Sequence, residues 1–116
     1  MRISFAIAAV VLALSTNAYG RGIIGDGGQS CGAWTEERAR DSRSSEYMKV
    51  WVLGYVSGVN MHMGDNYPNI IGGGVDASAI WAWIDNYCRA HPLEIIQGAA
   101  IKLVEELLRG AGQVKP

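Results

Sequence analysis

The chain has 116 residues, 49% of them hydrophobic and 18% charged, with a formal net charge of −1. That length holds one domain, and that apolar content excludes an intrinsically disordered chain. The near-neutral balance excludes a surface built to attract nucleic acid or an anionic membrane.

Met1-Arg2 is a short positive start, Ile3 to Leu14 an apolar run of twelve residues, and Ser15 to Gly20 a small and polar stretch. This is the three-part layout of a secretory signal peptide, with cleavage expected after Gly20. The run is too short to cross a bilayer, which takes about 20 residues. No cysteine follows it to take a lipid. The expected layout is a signal peptide over 1–20, a flexible leader over 21–30, one helical domain over 31–110 and a tail over 111–116. Without Arg2 the mature chain keeps nine Lys and Arg against eleven Asp and Glu, a net charge of −2. The expected destination is the bacterial periplasm.

Cys31 and Cys88 are the only cysteines. In an oxidising compartment they predict one disulfide. Closing a loop of 57 residues, it contributes about 4 kcal/mol by chain entropy. The alternatives are free buried thiols or a redox site, although a redox pair usually comes as Cys-x-x-Cys, which this chain lacks.

Arg21 to Ser30 is rich in glycine and carries no period, so it reads as leader. No Gly-Lys-Ser/Thr follows, which excludes a phosphate loop. Cys31-Gly-Ala-Trp34 opens an amphipathic segment running to about Ser44, with Trp34 expected to pack over the disulfide. Arg38, Arg40 and Arg43 lie among Glu36, Glu37, Asp41 and Glu46 and predict a solvated helical face. Ser44-Ser45-Glu46 then supplies a helix start.

Tyr47 to Met61 is apolar around nearly the whole helical circumference, including Trp51, which predicts a central, buried helix. Gly54 and Gly58, one turn apart, would let another helix approach closely. The β-branched content leaves a strand open as the alternative. Residues 60–75 are irregular, broken by Gly64-Asp65-Asn66, Pro68-Asn69 and Gly72-Gly73-Gly74. Met61-His62-Met63 has ligand types that suit Cu(I), but neighbouring residues cannot all face one ion on a helix, and no metal site is expected.

Asp76 caps the next helix, with Val75 placed to staple against Ile80. Ile80, Trp83, Ile84, Tyr87 and Cys88 keep helical spacing. Trp81 and Trp83 point to different sides, so one of them is a candidate partner contact. Pro92 suits a first helical position, and the last helix is expected to run from there to about Arg109 and stop at Gly110. Its apolar arc exceeds half the circumference, so it is either wedged between two helices or turned partly toward a partner. The fold class is all-α, a small disulfide-tied bundle of about four helices. With two histidines, no Ser/His/Asp spacing and no paired acids, no catalytic residue or cofactor is assigned and an enzyme is not expected.

Cys-x-x-Trp at 31–34, Trp51-Val-Leu-Gly-Tyr-Val-Ser-Gly58 and Tyr87-Cys88-Arg-Ala-His-Pro92 together resemble the HdeA/HdeB-type periplasmic acid-stress chaperones. Cys31 and Cys88 match that family's cysteine pair. The same outline looks like the Rap/Tai-type immunity proteins, which block secreted amidase effectors. The first resemblance implies a neutral-pH homodimer that dissociates in acid and holds protein clients. The second implies a single protein effector as partner. Neither implies nucleic acid, or a membrane after signal cleavage.

Overall fold

The computed structural model of the protein describes residues 22–63, 71 and 73–110. The expected signal peptide, the tail and residues 64–70 and 72 of the irregular 60–75 stretch lie outside these residues. Four α-helices follow in order: α1 (Cys31–Arg40), α2 (Arg43–Met63), α3 (Ala77–Ala90) and α4 (Ile96–Gly110), after a short 3₁₀ turn at Asp26–Gly28. Among the described residues the only β contact is an isolated bridge between Ser30 and Ile95. The fold is a small all-α one, and the strand alternative for α2 falls.

Local chemistry sets the boundaries. Ser30 caps α1 by accepting from the Ala33 amide at 3.0 Å. Asp41 ends that helix in the left-handed region, at φ 50°, and its N–H donates back to the Glu37 and Arg38 carbonyls. Asp is among the few residues other than glycine that tolerate this conformation. Ser42, not Ser44 or Ser45, then caps α2, taking the Ser45 amide at 3.0 Å. Ser45 itself turns inward and is fully buried. Asp76 caps α3 as expected, accepting from Ala79 at 2.8 Å.

The last helix begins later than the proline suggested. Pro92 does not start α4, because its carbonyl is engaged elsewhere, accepting from Gly32 at 3.0 Å while the Glu94 carbonyl accepts from Cys31 at 2.7 Å. These are two of the amides that the start of α1 leaves without helical partners. In return the Gln29 carbonyl accepts from Ile96 at 2.9 Å. The Pro92 and Glu94 carbonyls therefore cap α1 from outside, and the Glu94 side chain accepts the Ile95 amide just before α4 at 3.0 Å.

The disulfide forms between Cys31 and Cys88, with their Cα atoms 4.6 Å apart. Trp34, Val52, Ile84, Ile96 and Leu103 pack with it into one cluster, none of them more than 2% exposed. The wide apolar arc of α4 is largely absorbed inside the molecule. Ile96, Ala99, Ala100 and Leu103 are buried, with Val104, Leu107 and Leu108 packed against the cluster.

Two expectations for the first half of the chain need correction. The segment read as a flexible leader is held in place from Ile24 onward, since Trp51 Nε1 donates to the Ile24 carbonyl at 2.7 Å and Gly27 is buried against the Trp51 ring, where a Cβ would collide. Nor is α2 buried on all sides. Met48, Val52 and Val56 face the core, whereas Tyr47, Val50 and Met61 stand 58%, 64% and 84% exposed on the opposite side. Gly54 and Gly58 are exposed as well, and a Cβ added at either meets nothing within 4 Å. No described helix approaches them. Three shorter helices on one side cannot surround a helix of 21 residues.

Candidate interaction surface

On α2 the outward residues are Tyr47, Val50, Gly54, Ser57, Gly58 and Met61. At about 100° per residue they fall within about 60° of one line, and at about 1.5 Å per residue the row is about 21 Å long. No charged side chain interrupts it. Lys49, the one charged residue within that span, lies off the row, where its Nζ pairs with Glu46 at 2.8 Å and sits over the Trp81 ring at 4.3 Å. A helix face that meets water normally carries charge, so an uncharged face of this length is a candidate contact site.

The row has an aromatic flank. Trp51 and Tyr55 stack with ring centroids 5.4 Å apart. Trp51 fixes the Ile24 backbone beside it, and the Ile24 side chain stands 86% exposed. The turn at Asp26–Gly28 thus widens the apolar surface next to α2.

A second cluster lies where α1 crosses α3. Asp85 accepts Trp34 Nε1 at 2.7 Å and Arg38 Nε at 2.9 Å on one oxygen, and Arg38 Nη2 at 2.8 Å on the other. Among the described residues this is the one ion pair that joins two helices. The others are between residues three or four apart on the surface. Burial pushes the Asp85 carboxyl up, but the hydrogen bonds from Arg38 and Trp34, with the charges of Arg38 and Arg89, outweigh it and hold the group below the usual carboxylate range. A shallow depression of about 300 Å³ opens beside the pair, lined by Thr35, Arg38, Ala39, Asp85 and Arg89.

The two tryptophans of α3 are both half-buried and make different contacts. Trp81 Nε1 donates to the Lys49 carbonyl at 3.3 Å and ties α3 to α2. Trp83 heads a stack that continues through Tyr87 at 5.4 Å to His91 at 4.2 Å. Trp34 and Trp51 both spend their N–H groups inside the molecule. At the end of α2, Met61 and His62 are exposed while Met63 is half-buried. Among the described residues no group of three or more His, Cys, Asp or Glu could hold a metal ion.

The charge cluster puts Arg38 on a solvated face, whereas helical spacing puts it one turn beyond Cys31 and Trp34, on the side where it meets Asp85. The signal was available. Trp34 lies three residues after Cys31 and Asp85 three before Cys88, so once the disulfide sets two helices side by side, the indole and the carboxyl meet. The exposed row on α2 was hidden for a different reason: an apolar sequence on every side gives no hint of which side lacks a cover.

No family model matches the chain, and no curated protein or solved structure matches it either.

Proposed function

We propose that this is a small exported binding protein of the bacterial periplasm whose contact face is the uncharged outer side of α2. That face is the observation that carries the reading. The disulfide suits an oxidising compartment, and among the described residues no helix is long and apolar enough to cross a membrane.

Within that reading the first role is acid-stress holding of unfolding clients, as the HdeA/HdeB-type resemblance implies. The Arg38–Asp85 pair supports it. Asp85 has a lowered folded value, so its contribution is present above the unfolded value, about 3.9, and is lost as pH falls through the lower folded value. In the same range the eleven carboxylates become neutral, leaving nine Lys and Arg and two His in the mature chain, a charge of +11. Self-repulsion of that kind loosens a small domain, while the disulfide, which does not titrate, keeps its two halves joined. The test is client aggregation at about pH 2 to 3. Protection by the wild type, weakened in Gly54→Arg, whose charge persists in acid, supports holding; a soluble protein that protects nothing sinks it.

The alternative is inhibition of one secreted enzyme, in the manner of the Rap/Tai-type immunity proteins. It is favoured by the contact face standing exposed in the folded state, where acid is not needed to reveal it. It predicts a stoichiometric complex with one amidase effector at neutral pH. A pull-down that recovers such an enzyme, and loses it in Gly54→Glu, decides for inhibition over holding.

A further inference from the structure

We infer that the depression between α1 and α3 is an acid-gated anion site: when Asp85 loses its charge, Arg38 and Arg89 take a free oxyanion, phosphate or sulfate, in its place. The site is separate from the α2 face and stands whichever role that face serves.

Shared charge and unspent donors carry the inference. The depression, about 300 Å³, is lined by Thr35, Arg38, Ala39, Asp85 and Arg89, so two guanidinium groups share one carboxylate. Asp85 takes Nε and Nη2 of Arg38, and the charges of both arginines act on it. Among the described residues Arg38 Nη1 makes no hydrogen bond, and Arg89 spends only Nη1, on Asn86 at 2.9 Å. A planar guanidinium pairs with an oxyanion through two parallel N–H groups. Arg38 already shows that geometry toward the two oxygens of Asp85. The lining holds no large apolar side chain, so an organic ligand would find little to pack against.

The Asp85 carboxylate is the gate. While ionised it occupies Arg38 and repels a second anion at close range. Two further acids act on Arg38 by charge, Asp41 after α1 and Glu46 on α2, and Glu46 is itself paired with Lys49. The remaining charges of α1 pair among themselves, Arg40 with Glu36 and Glu37. In acid these carboxylates become neutral, and two like charges are left lining one small depression. Their repulsion, in a half-buried corner, is relieved by an anion held between them. Asp85 is held below the usual carboxylate range, so the gate opens at a lower pH than an ordinary carboxylate would allow. The bound anion then bridges α1 and α3 where the ion pair did.

The test is a sulfate titration of the isotope-labelled protein by nuclear magnetic resonance, read at the Trp34 indole N–H, which donates to Asp85 at 2.7 Å. Asp85→Asn stands in for the uncharged acid at neutral pH. It is expected to bind sulfate saturably at about 1 to 10 mM. The wild type at neutral pH should bind at least about tenfold more weakly, and so should Asp85→Asn carrying Arg89→Gln. Chloride at equal ionic strength separates binding from screening. No saturable shift in Asp85→Asn overturns the inference, as does a wild type that binds equally well at neutral pH. Unchanged binding with Arg89→Gln, or a chloride effect equal to that of sulfate, overturns it too. A second measurement leaves Asp85 in place and so does not depend on that variant folding. Sulfate should move the acid unfolding of the wild type to lower pH than chloride does, and Arg89→Gln should abolish the difference. Equal behaviour of the two proteins overturns the site. Inorganic phosphate should act as sulfate does; a response to anionic phospholipid vesicles alone overturns a free-ion site.

Discussion

The corner where α1 meets α3 and the outer side of α2 are opposites in how their chemistry is used. At the corner every strong group has a partner inside the chain: Cys31 bonds Cys88, Trp34 and Arg38 both donate to Asp85, and the first amides of α1 donate to the Glu94 and Pro92 carbonyls. On α2 the row from Tyr47 to Met61 stands exposed, and a Cβ added at Gly54 or Gly58 would meet nothing within 4 Å. In this small domain the stabilising contacts and the proposed contact face lie apart. Changes at the corner should cost stability, and changes on the row should cost contacts only.

The largest effect expected from that division is at the disulfide. Replacing Cys31 and Cys88 together by Ala should lower the free energy of unfolding by about 4 kcal/mol, measured by chemical denaturation at neutral pH. A loss below about 1 kcal/mol would mean that the corner holds itself together without the bond. Next comes Asp85→Asn, which removes a charge-assisted pairing with Arg38 and should cost about 2 kcal/mol at pH 7. The wild type owes that part of its stability to an ionised Asp85, so the gap between the two proteins should close as pH falls below the carboxylate range. Parallel curves from pH 7 to pH 2 would show that the pair contributes nothing through its charge.

Smaller effects, one of them of opposite sign, are expected on the row. Gly54→Ala replaces a mid-helix glycine at an open site and should raise monomer stability by about 1 kcal/mol. Val50→Ser should stay within about 0.5 kcal/mol of wild type. If either destabilises the monomer as much as Asp85→Asn does, the two faces are not separable.

Much of the fold was legible because it rested on local rules. The Asp76 cap and the Trp34 burial follow from a residue type and its near neighbours, and the Cys31–Cys88 bond from there being only two cysteines to pair. What escaped depended on distant partners. Pro92 was read as a helix start from its own stiffness, whereas its carbonyl is needed by Gly32, sixty residues earlier. The glycines at 25 and 27 looked like loose chain until Trp51 closed over them. Periodicity identified α2 as a helix and failed on its exposure, since exposure depends on how many other helices exist to cover it. The candidate site falls in that blind spot: Gly54 and Gly58 leave room for another helix to approach closely, and no described helix of this chain does so.

The clasp between the start of α1 and residues 92–96 also sets an order of events for a chain that emerges amino end first. When α1 has appeared, its cysteine and its first amides still await segments made last. Any chain cut short before Cys88 would keep an open thiol and leave the Cys31 and Gly32 amides without their carbonyl partners, however well α2 had formed. With one pair of cysteines there is no wrong pairing within a single molecule, and the only mismatch left is a bridge between two unfinished chains. Completion of the carboxyl-terminal third is thus the step that closes the fold and removes that hazard.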